Sequence, residues 1–185
     1  MTPKTANGRR GNQREAARTA NLLGAAALSI TGAIEDSIGR SGARSQAANA
    51  ALVILLQWPP RSIGGLSQVL GRSHSATVRL IEELEGGGLV TKQPGADRRS
   101  VVVALTAKGR RESAAVLSLR ARALGGVVAG LAPADRRDLT RIVEKILTQL
   151  TPDREASDHI CRLWQLAACP QDRCPVELAA LDAAH

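Results

Sequence analysis

The sequence predicts a mainly α-helical protein carrying one β-hairpin. Three observations lead there. Apolar residues recur at helical spacing near both ends, at Leu23, Ala27, Ile30, Ile34 and Ile38 and again at Leu139, Ile142, Val143, Ile146, Leu147 and Leu150. Two short runs rich in β-branched residues, 89–93 and Val101–Leu105, flank a polar turn-forming stretch, as the strands of a hairpin do. Residues that start and stop helices stand between the periodic segments.

The elements follow in order. Residues 1–18 carry Lys4, Arg9, Arg10, Arg14 and Arg18 against the single acid Glu15, with few large apolar side chains. They are expected to be a disordered basic arm, a solubilising tail or an added phosphate contact. N-terminal support and dimerisation helices are expected over 19–57, one at 19–38 and one at 44–57, the second stopped by Pro59-Pro60. A short helix over 62–70 ends at Gly71, and Ser73 caps the next, which runs to Glu85 with Val78, Ile81 and Leu84 on its buried face. Gly86-Gly87-Gly88 ends that helix, and the hairpin follows with its tip at 94–100. Thr106 caps a helix reaching Gly125 or beyond. Pro133 takes the first position of the last long helix, with Asp135 in its first turn, where the helix dipole favours an acid. These C-terminal dimerisation helices fill 110–151, and a cysteine-bearing tail occupies 152–185.

Composition narrows the function classes. The 185 residues suit one domain with appended helices, and 44% apolar content suffices for a core. That core must be aliphatic, because the only aromatic residues are Trp58 and Trp164. A formal charge of +8 favours anionic partners, nucleic acid first. No run is expected to reach the roughly 20 apolar residues that span a bilayer, and residues 1–18 lack the apolar stretch of a signal peptide, so a cytoplasmic location is expected. No phosphate-binding glycine loop, His-Glu-x-x-His or Gly-x-Ser-x-Gly motif is present, and an enzyme is not expected.

Residues 58–109 carry the functional signal. Helix, tight turn, helix and basic-tipped hairpin form a winged helix-turn-helix, whose second helix fits the major groove. The positions expected to meet DNA from that helix are Ser73, His74, Ser75, Thr77 and Arg79, all hydrogen-bonding types at its N-terminal end. In the hairpin tip, Arg98 and Arg99 suit the narrow, electronegative minor groove, with Asp97 orienting one of them.

The run Leu66-Ser67-Gln68-Val69-Leu70-Gly71, residues 73–84 and Gly88-Leu89-Val90 resemble the helix-turn-helix of the MarR family. So does the tip Asp97-Arg98-Arg99 leading through a strand into Leu105-Thr106-Ala107-Lys108-Gly109. The resemblance spans about Leu52 to Gly109 and departs at Gly86-Gly87, where charged residues are more usual. It implies a homodimeric regulator of transcription that binds a pseudo-palindromic operator, usually to repress, with release by a small-molecule effector or by cysteine oxidation. It also implies an effector crevice lined with aromatics, to which this sequence is expected to contribute only Trp58, itself read as a core plug. A winged-helix module that binds protein rather than DNA is the alternative; the paired wing arginines argue against it. For Cys161, Cys169 and Cys174 three roles stay open: inert packing, redox sensing, or zinc binding with His159, Asp172 or a partner-chain group as fourth ligand.

Overall fold

A computed structural model describes residues 4–39, 42, 44–95, 100–169 and 171–183, with backbone only at 4–10 and 171. The elements are α1 (Lys4–Gly39), α2 (Gln46–Gln57), β1 (Arg61–Ser62), α3 (Ile63–Leu70), α4 (His74–Gly86), β2 (Val90–Pro94), β3 (Val101–Leu105), α5 (Ala107–Ala129), α6 (Pro133–Gln149), α7 (Arg154–Ile160) and α8 (Pro175–Asp182). Two 3-10 turns, Leu166–Ala168 and Gln171–Arg173, lie between α7 and α8. The strands form an antiparallel sheet in the order β1-β3-β2, with Val90 opposite Leu105 and Arg61 opposite Val103. This is the mainly helical winged arrangement expected. Strand β1 was not foreseen, because two residues carry no periodicity.

Helix α2 is the centre of the molecule. All eight residues from Ala48 to Leu55 are buried. Leu52 and Ile54 join Leu66 of α3, Ile81 and Leu84 of α4 and Val103 of β3 in one aliphatic core. A helix apolar all round must lie inside. Ser45 caps it, accepting from the Ala48 N–H at 3.2 Å. A second cluster joins Ile38 of α1, Val53 of α2 and Val116 of α5, and Ile34 packs against it. Ile38 is therefore buried within the chain, and Ile34 packs partly against it.

Two expectations about the N-terminal third change. The stretch read as a disordered arm is helical from Lys4 and continuous with α1. Residues 11–18 are exposed throughout, so packing within the chain does not hold them. Their Ala, Arg, Gln and Glu are strong helix formers, and extending an existing helix avoids the cost of nucleation. The segment Gly11–Gly39 is also long and apolar enough, by length and composition, to cross a membrane, contrary to the sequence expectation. Its C-terminal end packs on α5 instead, where the Ser37 hydroxyl donates to the Leu119 carbonyl at 3.2 Å.

Helix α6 buries none of its residues in this chain, and Leu139, Ile142 and Val143 stand exposed along it, with Leu150 exposed at its C-terminal cap. The tail folds back on the body, α7 against α3 and α8 against α6.

Candidate nucleic-acid interface

The helix-turn-helix is built from backbone geometry. Gly71 ends α3 in the left-handed conformation at φ 59° and ψ 40°, and Arg72 N–H reaches back to the Ser67 carbonyl at 3.0 Å. Glycine adopts that conformation without the steric cost a Cβ brings. Ser73 then caps α4, accepting from Ala76 N–H at 3.3 Å. The capping role expected of Ser73 is present, and its hydroxyl also lies 3.3 Å from that of Ser75.

The buried stripe of α4 is Thr77, Leu80, Ile81 and Leu84, the i, i+3, i+4, i+7 positions of one helical face. The sequence reading placed Ile81 and Leu84 on this face correctly but took Val78, which is half-buried, as its first member and Thr77 as exposed. Thr77 is fully buried. Its hydroxyl donates to the Ser73 carbonyl at 3.1 Å, which removes the cost of burying it. It is therefore withdrawn from the groove-facing set. His74, Ser75 and Arg79 are exposed, and so is Arg72 in the turn, which sequence reasoning passed over. Its position between the left-handed glycine and the cap was the available signal. Glu82 and Glu83 are exposed one turn further on. Their charges repel phosphate, so only the first two turns of α4 suit approach to DNA.

The motif Leu105-Thr106-Ala107-Lys108-Gly109 is a structural knot. Thr106 caps α5 by accepting from Gly109 N–H at 3.0 Å, while its hydroxyl donates to the Gly88 carbonyl at 2.7 Å. Lys108 Nζ donates to the Gly87 carbonyl at 2.9 Å. The end of the reading helix is thus tied to the start of α5. Gly88, at φ 69°, makes the turn into β2. On β2, Lys92 donates to Glu85 of α4 at 2.8 Å, and that hydrogen bond holds the Glu85 carboxyl below its usual range. Asp97, Arg98 and Arg99 lie outside the described residues. The hairpin leading to them closes with Gly95 N–H on the Ser100 carbonyl at 2.8 Å.

Behind this reading head lies a cavity of about 380 Å³. Trp58, at the C-terminal cap of α2, and Arg61 of β1 line it, and the tail supplies Trp164 and all three cysteines. Trp58 packs partly against the core, as expected, but it also faces this space, and Trp164 joins it there. The expectation that one tryptophan alone serves a crevice is corrected: the two fall together because the tail folds back. The Gln57 side-chain amide clamps the tail, accepting from Leu166 N–H at 2.6 Å and donating to the Trp164 carbonyl. The Arg61 guanidinium sits over the Trp58 ring, 5.9 Å from its centroid. Its Nε is buried and, among the described residues, is the buried side-chain nitrogen or oxygen without a hydrogen-bond acceptor. Leaving a buried donor unsatisfied costs about 1–3 kcal/mol.

All three cysteines are free. Burial pushes the Cys161 thiol up to about 12. It also pushes Cys169 up to about 11, with a hydrogen-bonding contact to Cys174 adding to the effect. A thiolate is the reactive and metal-binding form, so Cys161 and Cys169 stay protonated and sluggish near neutral pH. Among the described residues no group of three or more His, Cys, Asp or Glu side chains is placed to hold a metal. His159, one of three candidates for a fourth zinc ligand, rests on the helix-turn-helix turn, with Nδ1 3.4 Å from the Val69 carbonyl oxygen.

The MarR family model matches residues 45–101, from the cap of α2 to the first residue of β3. The structure of RV1404 from Mycobacterium tuberculosis is 30% identical, with a TM-score of 0.62 over 69% of this chain and 88% of that one. A MarR family protein from Bacillus stearothermophilus is 24% identical, with a TM-score of 0.66 over 75% of this chain and 97% of its own. CouR from Rhodococcus jostii RHA1, bound to p-coumaroyl-CoA, is 24% identical, with a TM-score of 0.55 over 68% and 88%. No curated protein matches the chain. With a capped reading helix tied to its wing and relatives of the same architecture, the chain belongs to the MarR family of DNA-binding transcription regulators and is not an enzyme.

Proposed function

We propose that this protein is a cytoplasmic homodimeric repressor that binds a pseudo-palindromic operator and is released by a small-molecule effector. The observation that carries the reading is the N-terminal end of α4, where His74, Ser75 and Arg79 are exposed on a firmly capped helix and Arg72 is exposed in the turn before it. Ser75 and Arg79, four residues apart, share a face and suit base edges; Arg72 and His74 suit phosphates. The exposed apolar side chains of α6, with Leu22, Leu23 and Leu28 of α1, supply a surface for a second copy. Two reading helices about 34 Å apart would then meet successive major grooves.

Of the two release routes the family resemblance implies, the geometry favours the ligand. The cavity between the reading head and the tail has room for a ligand, and burial pushes the Cys161 and Cys169 thiols up, away from the reactive thiolate. CouR, with the same fold, carries a coenzyme A ester. The test is a gel shift with DNA from upstream of the protein's own gene, followed by footprinting. A protected inverted repeat supports the reading; failure to shift that DNA at low salt, with a folded dimer in hand, removes it.

A further inference from the structure

We propose that this protein carries a second nucleic-acid contact at the end of the molecule away from the reading head: Arg14 and Arg18 of α1, with Arg136 and Arg137 at the start of α6, hold the phosphates of a second DNA duplex. A dimer so equipped bridges two duplexes. This goes beyond the operator reading above and uses it only to say what the heads hold.

Two contacts fix the direction of α1. Ser37 meets Leu119 of α5, and Arg44, just beyond α1, meets Glu112 of α5. The chain therefore runs down α5 towards its N-terminus, and α1 is antiparallel to α5. The start of α5 is tied to the reading head through Thr106 and Gly88. Its 23 residues carry it about 34 Å away from there, at about 1.5 Å per residue. Ten residues beyond the Ser37 contact α5 ends at Ala129, and α1 has reached only Ala27. The rest of α1 overhangs, and residues 11–29 are accordingly exposed throughout. Arg14 and Arg18 thus stand about 50 Å from the start of α5 along the helix axes. Two-fold symmetry puts both heads on one duplex and both arms far from it. The added phosphate contact suggested by the sequence therefore falls on other DNA than the operator under the heads.

The chemistry of the overhang is that of a polyanion site. Residues 1–18 hold five basic side chains against Glu15 alone. Arg14 and Arg18, four residues apart, share a helix face. They are about 6 Å apart along it, close to two phosphate steps of one DNA strand at about 3.4 Å each. Helix α6 starts at Pro133, four residues after α5 ends, so Arg136 and Arg137 stand at the same end of the molecule. All four arginines are exposed, and among the described residues none of them is in an ion pair. Like charges one helical turn apart repel each other, and a row of phosphates turns that cost into attraction. An anionic bilayer fits less well. Residues 4–18 include no Leu, Ile, Val, Met, Phe or Trp, so they lack the apolar face with which interfacial helices enter a membrane. Phosphate contacts read no sequence, and the second duplex need not be an operator.

The experiment uses the full-length dimer and two duplexes of about 30 base pairs, long enough for two half-sites one turn apart. One comes from upstream of the protein's own gene and one is scrambled, and each carries a different fluorophore. Coincidence of both colours in single diffusing particles reports bridging. The salt is about 100 mM, where a Debye length of about 10 Å isolates arm from head. The parent is expected to bridge. The variant Arg14→Gln, Arg18→Gln, Arg136→Gln, Arg137→Gln should need at least about tenfold more of the scrambled duplex to do so. Its dimer mass and thermal transition should match the parent's, and its affinity for the upstream duplex alone should stay within about twofold. Arg14→Gln with Arg18→Gln, which leaves α6 intact, should give a smaller loss in the same direction. A folded parent dimer that never bridges overturns the proposal, as does a fourfold variant that bridges like the parent. Capture of phosphatidylglycerol vesicles in preference to the scrambled duplex overturns it too and assigns the surface to a membrane. If the upstream duplex fails to bind by itself, the operator reading falls. Scrambled duplexes in both colours then test the arm by the same contrast between parent and variant.

Discussion

Gly109, in the first turn of α5, lies directly beneath the carbonyl of Leu89 at the entry to β2: a Cβ built on it would collide with that oxygen. The close approach lets Thr106 hold α5 against the end of α4. Backbone cannot move aside as a flexible side chain can. Gly109→Ala is therefore expected to destabilise the fold by at least about 2–3 kcal/mol. Gly125 sits in the same helix with nothing within 4 Å of where its Cβ would be. Gly125→Ala should stabilise by about 0.5–1 kcal/mol. Urea denaturation of the two variants checks the contrast, and equal effects would contradict it.

The phase of the reading helix is testable by substitution. Thr77→Val keeps the shape of a buried side chain and removes one hydroxyl, so stability should change by about 1 kcal/mol and operator affinity hardly at all. Arg79→Ala and Ser75→Ala change exposed groups; one or both should weaken operator binding by about 1–3 kcal/mol with little effect on stability. A Thr77→Val variant that folds normally but loses operator binding would return Thr77 to the groove-facing set.

The wing carries its own expectation from sequence. Replacing Arg98 and Arg99 together by alanine should weaken operator binding while leaving the thermal transition in place. If either contacts only phosphate, the slope of log affinity against log salt falls by about one unit and all sequences weaken alike. Titration by fluorescence anisotropy at several salt concentrations separates these outcomes, and unchanged binding would remove the wing from the interface.

The apolar face of α6 should be the dimer face. Ile142 is 46% exposed within one chain. Placing a charge there, as in Ile142→Asp, should yield a monomer by light scattering and remove operator binding with it. A dimer that survives the substitution would assign that face to something else.

Alkaline pH should loosen the tail. A thiol whose folded-state pKa is raised keeps its proton in the native state after the unfolded chain has lost it. The linked stability is therefore present below the ordinary thiol value of 9.0 and lost as pH rises towards about 12 for Cys161 and about 11 for Cys169. Ellman's reagent at pH 7.5 should modify these two slowly in the native dimer, and faster once Trp164→Leu or urea opens the cavity. Rapid native labelling of both would show them ionised after all.

Much of the site was legible because it depends on local chemistry. Ser73, Thr106, Pro133 and Gly71 stand where the physics of helix ends demands them, so α4, α5 and α6 begin, and α3 stops, where expected. The hairpin strands were found by their β-branched residues, and β3 spans Val101–Leu105 as read. Thr77 was misplaced because threonine reads as polar, yet one hydrogen bond to the carbonyl four residues back makes it a core residue. Residues 11–18 were misread because composition reports the absence of a core and says little of a helix continued from its neighbour.

What the sequence by itself determined is the reading head: a mainly helical chain, a capped turn and a hairpin, each governed by interactions within a few residues. Tertiary structure alone decided which faces meet. It buried Ile38 against Val53 and Val116, left Leu139, Ile142 and Val143 of α6 exposed, and brought Trp58, Arg61, Trp164 and the cysteines around one cavity. Those contacts join residues up to about a hundred positions apart, and no local period records them. They depend on how the tail closes over the body, through Gln57 on Trp164 and Leu166 and through His159 on the turn at Gly71.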